Sequence, residues 1–326
     1  MDTPPLLEVT GLRVNFKVYG GLLKVLDGVD LVVNPGERVG LVGETGCGKT
    51  TTMKAILRIL PMPPGQIVAG QVRFKGQDVL SMSQQALHRV RGRGISMIFQ
   101  DPTAALNPVF SVGEQLGAAI KHAGFDGRAS RRQIHQAALA ALKEVALADP
   151  ERLLDSYPVQ LSGGMRQRVC IAMALATRPE LLIADEPGTS LDVTIQDQIL
   201  RLLHNLVLDK GTSVILITHT LGVVRETTER VYVMYAGSMV ESATTRALFA
   251  NPLHPYTRAL MQSVPRLSGG GVAEGIPGRI PDYLNPPPGC RFHPRCPHVM
   301  DICRREKPPS FQAEDGHLVA CFLYKD

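Results

Sequence analysis

Short apolar runs alternate with amphipathic stretches along residues 1–250. The runs are rich in β-branched residues and almost continuously apolar, which is typical of strands covered on both faces. Strands are predicted over residues 25–33, 38–42, 95–99, 181–185, 213–217 and 231–235. Residues 194–209 repeat apolar side chains at helical spacing and predict a helix. This alternation predicts an α/β fold built on a mostly parallel sheet.

Two further stretches depart from this pattern. Residues 101–178 are rich in Ala, Leu, Gln and Arg and contain no convincing strand, so they predict a helical insertion between two strands. From residue 251 onward Pro, Gly and Arg become dense, which is typical of loops that cannot build a large core alone. We therefore expect a main domain over residues 1–250 and a small loop-rich C-terminal domain over residues 251–326.

Composition and charge narrow the class of protein. The 326 residues are 44% hydrophobic and 20% charged, which excludes a chain that is disordered over its whole length. The net charge of +5 is mild, the basic residues are scattered and no Trp is present, so a nucleic-acid-binding surface is not expected. No apolar run approaches the roughly 18 residues of a membrane span. The N-terminus lacks the features of a signal peptide. We expect a soluble cytoplasmic protein.

Residues 43–50 read Gly-Glu-Thr-Gly-Cys-Gly-Lys-Thr and match the phosphate-binding pattern G-x-x-x-x-G-K-[ST]. A predicted strand precedes this loop and a helical pattern follows it. Glycines let the backbone wrap around phosphates, and the free amides at a helix start point at the anion. Lys49 adds positive charge near the β- and γ-phosphates, and Thr50 is a candidate Mg²⁺ ligand. The predicted nucleotide contacts are Gly43, Glu44, Thr45, Gly46, Cys47, Gly48, Lys49, Thr50 and Thr51.

A second motif places two carboxylates at the end of the predicted strand 181–185. Ligands of open α/β sheets bind at the carboxyl ends of strands. Asp185 is therefore a candidate Mg²⁺ ligand, directly or through water. Glu186 is a candidate general base that polarises a water for attack on the γ-phosphate. Pro187 removes a backbone donor and ends the strand.

Residues 161–168, Leu-Ser-Gly-Gly-Met-Arg-Gln-Arg, begin a helix with Ser162 as its predicted N-cap. This octet resembles the signature sequence of ATP-binding-cassette (ABC) proteins. Further motifs of that family follow the same order along the chain. By resemblance, Gln100 is the Q-loop glutamine and a Mg²⁺ ligand, Ser190-Leu191-Asp192 is the D-loop, His219 is the switch histidine, and Tyr19 stacks on adenine.

The segment after residue 250 also resembles one branch of that family. Residues 251–260, the Pro-rich sequence and the cysteines beyond them are similar to the C-terminal extension of oligopeptide, dipeptide and nickel importer ATPases. The resemblance implies a P-loop ABC-type nucleotide-binding domain with a mixed sheet core and a helical subdomain. It implies an ATPase that drives uptake of di- or oligopeptides, or alternatively of nickel or another small solute.

The resemblance also implies partners. We expect a second ABC ATPase subunit, favoured as a paralogue, two transmembrane permease subunits and an extracytoplasmic substrate-binding protein, with this chain on the cytoplasmic face of the membrane. In a head-to-tail dimer, Ser162, Gly163, Gly164 and Gln167 would contact the ATP of the other subunit in trans. Three positions depart from the family pattern, namely Cys47 for Ser, Gly188 for Thr and Thr220 for Asp.

Four cysteines, Cys290, Cys296, Cys303 and Cys321, fall in the last 37 residues. Their spacing is looser than the C-x₂₋₄-C pairs of zinc sites. Four thiolates can hold a [4Fe–4S] cluster, and the resemblance to importer ATPases favours that cluster. Zinc, free thiols and disulfides remain open. Separately, Cys47 lies near a helix start, which lowers a thiol pKa and predicts sensitivity to alkylation.

Two other classes of function compete with a transport ATPase. Cassette ATPases of translation or DNA repair usually carry two cassettes or a long coiled-coil insertion, whereas this chain has one cassette and no sustained heptads. A metal or redox module in which ATP is secondary would not need the complete set of ATP motifs. The sequence therefore favours the transport ATPase.

Overall fold

The structure is a computed structural model that describes residues 4–124, 129–189, 191–263, 275–314 and 316–325. Its strands are β1 (Leu7–Val18), β2 (Gly21–Val33), β3 (Arg38–Val42), β4 (Gly65–Phe74), β5 (Gln77–Asp78), β6 (Ile95–Ile98), β7 (Leu181–Asp185), β8 (Ser213–Ile217), β9 (Arg230–Tyr235), β10 (Ser238–Thr244), β11 (Phe311–Glu314) and β12 (His317–Val319). Its α-helices are α1 (Lys49–Ile56), α2 (Gln84–Val90), α3 (Pro102–Ala105), α4 (Val112–Gly124), α5 (Arg131–Glu144), α6 (Pro150–Asp155), α7 (Gly163–Ala176), α8 (Val193–Lys210), α9 (Leu221–Thr227), α10 (Thr245–Ala250) and α11 (Pro255–Gln262).

The strands predicted from apolar runs are confirmed with small shifts at their ends. β3, β7 and β8 match the prediction residue for residue, while β6 ends one residue early and β9 begins one residue early. β2 extends the predicted strand towards its N-terminus. The predicted insertion is also confirmed, because residues 101–178 hold α3 to α7 and no strand in their described part.

The chain divides into two compact units. The first unit comprises residues 1–34, 38–81 and 217–326, and the second comprises residues 35–37 and 82–216. The residues that follow position 250 therefore belong to the same unit as the predicted phosphate loop. A domain boundary at 250/251 stays a prediction.

The first unit contains both parallel and antiparallel strand pairs, as the mixed sheet core requires. One set of strands has the order β2-β1-β4-β5 and is antiparallel. In the other set, β3 pairs with β9 in parallel, with Gly40 opposite Val231. β9 continues to β10, β12 and β11 through antiparallel pairs. The strand that leads into the phosphate loop is thus paired inside this unit.

The core of the first unit joins the strands to the C-terminal segment. Val42 of β3 and Val233 of β9 belong to the same buried cluster as Tyr256 of α11 and Phe292. The rings of Tyr256 and Phe292 lie 5.5 Å apart in an edge-to-face arrangement, which aromatic pairs prefer. Two large side chains of the C-terminal segment, Tyr256 and Phe292, therefore pack into this core.

The second unit combines three strands with the helical insertion. Its strands have the order β8-β7-β6, and β6 runs parallel to β7 with Ile98 opposite Ala184. α7 buries half of its 14 residues, including Val169 and Ile171. In the described part of the chain, no helix has the length and apolarity to cross a membrane.

Gly237 is the glycine on which the turn between β9 and β10 depends. Its φ is +82°, in the left-handed region that favours glycine, and an added Cβ would collide with the carbonyl oxygen of Val25. Gly76, between β4 and β5, has a similar φ of +77°, and an added Cβ there would have no neighbour within 4 Å. A side chain at Gly76 would therefore meet backbone strain alone, whereas one at Gly237 would meet a steric collision as well.

We expect Gly76→Ala to lower the free energy of unfolding by about 1 kcal/mol, because only the backbone conformation is penalised. Gly237→Ala should lower it by more than about 3 kcal/mol, because strand β2 must also move. Urea denaturation of both variants measures the two losses. Equal losses would show that the Val25 carbonyl does not restrict this turn.

Candidate functional site

The predicted site residues fall into two sets, one in each compact unit. The first unit holds Tyr19, the loop 43–51 and His219. The second unit holds Gln100, the signature residues 162–167, the two strand-end carboxylates and Asp192. Ser190 lies outside the described residues. Each set has a geometry of its own.

The predicted phosphate loop has the expected strand–loop–helix form. β3 ends at Val42 and α1 begins at Lys49, with Gly48 at φ +111° as the N-cap residue. The Lys49 side chain is buried, and its Nζ donates hydrogen bonds to the carbonyl oxygens of Gly43 at 2.7 Å and Glu44 at 3.1 Å. The ammonium group therefore lies inside the curve of the loop, next to a helix start suited to bind phosphate.

Residues far along the chain hold the outer side of this loop. The Glu44 amide donates to the Tyr256 hydroxyl at 2.8 Å, and the Tyr283 hydroxyl donates to the Gly46 carbonyl oxygen at 2.8 Å. Arg295 pairs with the Glu44 carboxylate at 2.8 Å. Sequence reasoning assigned no role to Tyr256, Tyr283 or Arg295. No local signal could have found them, because their partners are 212 to 251 positions away.

The expected lowering of the Cys47 thiol pKa is wrong, while alkylation sensitivity stays a prediction. Its side chain is fully buried, and burial raises the pKa of the Cys47 thiol despite the neighbouring Lys49. The Lys49 Nζ lies 3.8 Å from its sulfur. Desolvation of the thiolate outweighs both the ammonium and the helix start. Cys47 acts as a packing residue of the loop.

The two strand-end carboxylates occupy different environments. Asp185 ends β7 and is 2% exposed, whereas Glu186 is half-buried. One Glu186 oxygen accepts a hydrogen bond from the Gln100 side chain at 3.1 Å and another from the Thr189 hydroxyl at 2.9 Å. The structure thus brings Gln100 and Glu186 together, as two residues predicted to act on the same phosphate would require.

The backbone of Glu186 is strained. Its φ is +46°, a left-handed conformation that non-glycine residues rarely adopt. Such outliers cluster at functional sites, where the surrounding structure holds a side chain in a required direction. The strain and the two hydrogen bonds together fix where the Glu186 carboxylate lies.

The signature residues form an exposed helix start. Ser162 is the N-cap of α7, as predicted, and its hydroxyl accepts the Met165 amide at 3.3 Å. Ser162 and Gly163 are exposed, so amides at this helix start are accessible to an anion. Gln167 departs from the prediction. It is 1% exposed and its Nε2 has no hydrogen-bond partner among the described residues, so its side chain lies in the interior and not on a surface that a second subunit contacts.

The remaining motif residues are accessible. Tyr19 is fully exposed in the turn between β1 and β2, and Asp192 is exposed as the N-cap residue of α8. His219 is exposed just after β8. Thr220, which replaces the usual Asp, donates its amide to the Thr218 hydroxyl at 3.0 Å. This hydrogen bond fixes the backbone next to His219 without an acidic side chain.

The four C-terminal cysteines are free thiols that line one small cavity. Burial raises the pKa of Cys290 to about 11 and also raises those of Cys296 and Cys321. Four thiols are a donor set that suits iron–sulfur clusters and zinc. The cavity of about 10 Å³ is no larger than one water.

The expectation of a metal centre at these cysteines is not confirmed. Within residues 4–124, 129–189, 191–263, 275–314 and 316–325, no group of three or more His, Cys, Asp or Glu side chains is arranged to hold a metal ion. The donor chemistry therefore fits a metal centre, while the spacing of the donors does not.

Comparison with known proteins places these features in a family. Residues 26–189 match the ABC transporter family, and residues 240–303 match the oligopeptide/dipeptide transporter C-terminal region. The chain is 49% identical to the probable peptide ABC transporter ATP-binding protein y4tR of Sinorhizobium fredii, over 97% of this chain and 94% of the relative. It is 46% identical to the dipeptide transport ATP-binding protein DppD of Bacillus subtilis, again over 97% and 94%.

Solved structures show the same likeness. A dimeric ATP-binding cassette, MJ0796, in a post-hydrolysis state bound to ADP and Pi matches with a TM-score of 0.66 and 27% identity, over 74% of this chain and 99% of that one. The phosphate loop, the signature helix start and the strand-end carboxylates therefore occur in a chain that is related to such cassettes over most of its length. The chain belongs to the ABC transporter family, as an ATP-hydrolysing subunit that carries the oligopeptide/dipeptide transporter C-terminal region.

Proposed function

We propose that this subunit lies on the cytoplasmic face of the cell membrane and drives the import of di- or oligopeptides. The observation that carries the proposal is the likeness to peptide transport ATP-binding proteins over nearly the whole chain, including the oligopeptide transport ATP-binding protein OppD of Bacillus subtilis at 45% identity. The C-terminal region supports the same cargo class, because residues 240–303 match the C-terminal region of oligopeptide/dipeptide transporters.

Its partners are a second ATPase subunit, a paralogue of this chain, two transmembrane permease subunits and an extracytoplasmic substrate-binding protein. Two features of the second unit support a docked partner. A groove of about 580 Å³ lies among α4, α5 and α6. Val109, Phe110 and Val159 are exposed apolar side chains in the same helical insertion. Exposed apolar groups of this kind mark interaction surfaces.

ATP binds at the phosphate loop of one subunit and at the signature residues Ser162, Gly163 and Gly164 of the other. Thr50, Gln100 and Asp185 hold Mg²⁺, Tyr19 stacks on the adenine, and His219 and Asp192 complete the site. The exposed helix start of α7 supports this arrangement, since it offers unpaired amides to the γ-phosphate of a facing subunit. ATP thereby joins the two subunits, and hydrolysis releases them.

Glu186 polarises the attacking water. Its carboxylate is held by Gln100 and Thr189 in a strained backbone conformation, so its direction is set before the nucleotide binds. A base in a fixed position requires no rearrangement during reaction. We therefore expect hydrolysis to require the charged carboxylate of Glu186, which a neutral side chain of the same shape should not replace.

Glu186→Gln keeps the shape and removes the base. We expect ATP hydrolysis to fall by about 100-fold or more while the dissociation constant for ATP stays unchanged. The matched control is Glu144→Gln, which removes an exposed carboxylate paired with Lys210 in the same unit. Phosphate release by the two variants measures the effect. Unchanged turnover in Glu186→Gln would remove this residue as the base.

The cargo is tested in cells. A strain that lacks this subunit should lose uptake of labelled di- and oligopeptides and recover it when the wild-type chain is supplied, but not when Glu186→Gln is supplied. Uptake of labelled nickel serves as the parallel measurement. Loss of nickel uptake with unaffected peptide uptake would contradict the peptide assignment and favour the metal cargo.

We propose that the four thiols rearrange around a [4Fe–4S] cluster, with Zn²⁺ as the alternative occupant. This proposal is supported by the four thiols lining one cavity, since cysteines that share no ligand have no need to lie around the same space. The cluster would have a structural or redox-sensing role, because no catalytic group accompanies the cysteines.

Purification without oxygen should give a brown protein with about four iron and four sulfide per chain. Cys303→Ser should lose both, whereas Cys170→Ser, a buried cysteine in the other unit, should keep them. Elemental analysis measures the content. A colourless preparation with one zinc per chain would establish the alternative, and a metal-free protein would contradict both.

A further inference from the structure

The phosphate loop (residues 43–50) is held from outside by side chains of the C-terminal segment. Tyr256, Tyr283 and Arg295 contact Glu44 or Gly46 across 212 to 251 positions of sequence. All of these residues belong to the first compact unit. The loop that binds the triphosphate therefore takes part of its support from the region that carries the cysteines.

Arg295 makes the strongest of these contacts. Its two terminal nitrogens donate to the two oxygens of Glu44 at 2.8 and 3.0 Å, the bidentate geometry that gives arginine–carboxylate pairs their strength. The Arg295 side chain is 5% exposed and that of Glu44 is 25% exposed, so water screens the pair only in part. Hydrogen bonding to Glu44 raises the pKa of Arg295, which stays charged.

The guanidinium is fixed in place independently of Glu44. Its Nε donates to the Pro277 carbonyl oxygen at 2.7 Å, and one terminal nitrogen donates to the Ile276 carbonyl oxygen at 3.0 Å. The ring centroids of Tyr235 and Phe292 lie 5.7 and 6.0 Å from its central carbon. The guanidinium is thus held in place before it pairs with Glu44. The pairing therefore positions the phosphate loop relative to the C-terminal segment.

The charge of Glu44 explains why such a receptor is needed. Glu44 is the second residue of a loop that binds a highly charged anion, and a bare carboxylate there would repel the phosphates. The bidentate pair with Arg295 neutralises this carboxylate. The tyrosine hydroxyls add two contacts to the backbone, one to the Glu44 amide and one to the Gly46 carbonyl.

We propose that Arg295 and Tyr283 are positioning residues for nucleotide binding, through which the C-terminal segment holds the phosphate loop in its ATP-binding form and cancels the charge of Glu44. The proposal concerns ATP affinity in this chain alone and is independent of the cargo. A loop that is already ordered loses less conformational freedom when ATP binds.

The first test is Arg295→Gln in the full-length chain, with binding followed by titration of fluorescent ATP. We expect ATP to bind about tenfold more weakly, because the Glu44 carboxylate is left unpaired beside the phosphates. The matched control is Arg258→Gln, another arginine of the C-terminal segment, whose partners are the Pro252 carbonyl oxygen and the Tyr324 hydroxyl. It should leave ATP affinity within about twofold of wild type.

A double variant separates positioning from loss of structure. Glu44→Gln combined with Arg295→Gln removes both charges, and we expect ATP affinity to return to within about threefold of wild type. Thermal denaturation of each variant ensures that titrations are made on folded protein. Arg295→Lys, which keeps the charge but not the bidentate geometry, should bind ATP more tightly than Arg295→Gln.

Two results would overturn the role of Arg295. One is wild-type ATP affinity in folded Arg295→Gln, and the other is a double variant that binds as weakly as the single one. Tyr283→Phe tests the backbone contact, with Tyr324→Phe as its control because that hydroxyl donates to the Leu253 carbonyl oxygen. ATP binding should weaken about threefold in Tyr283→Phe only. Equal affinities in the two variants would exclude Tyr283 from positioning.

Discussion

A phosphate loop must curve around an anion with its amides facing inward, and this constraint shapes much of the first unit. The backbone groups and charges on its outer side then need partners of their own. Lys49 supplies the inner charge, and Gly237 donates its amide to the Cys47 carbonyl oxygen at 2.8 Å from the outside. Tyr256, Tyr283 and Arg295 supply the remaining outer contacts.

The C-terminal segment reaches the phosphate loop through its packing on the core of the first unit. Pro-rich loops form no large core, yet Tyr256 and Phe292 pack into the cluster around β3 and β9 and bring Arg295 to the loop. Arg295 directly precedes Cys296, one of the four thiols that line a single cavity. Order in this short segment therefore serves two sites, the thiol cavity and the phosphate loop.

The second unit meets a different requirement, the placement of the groups that we propose to act on the γ-phosphate. Glu186 follows a fully buried strand, and two neighbouring side chains hold its carboxylate while its backbone adopts a strained conformation. Ser162 caps an exposed helix start. Rigid elements carry both features, which suits groups that must meet a nucleotide at fixed distances.

The sequence by itself determined the elements and motifs whose physics is local. Continuous apolar runs predicted β3, β7 and β8, because strands covered on both faces tolerate few polar residues. The spacing of the glycines and Lys49 predicted the phosphate loop. Ser162 was predicted as the N-cap of α7. Both predictions succeed because each feature depends on residues a few positions away. Only the tertiary structure decided which residues are buried and which distant residues meet. Cys47 and Gln167 are buried, which their neighbours in the sequence do not indicate. The contact of Arg295 with Glu44 joins residues 251 positions apart, and no local pattern records it.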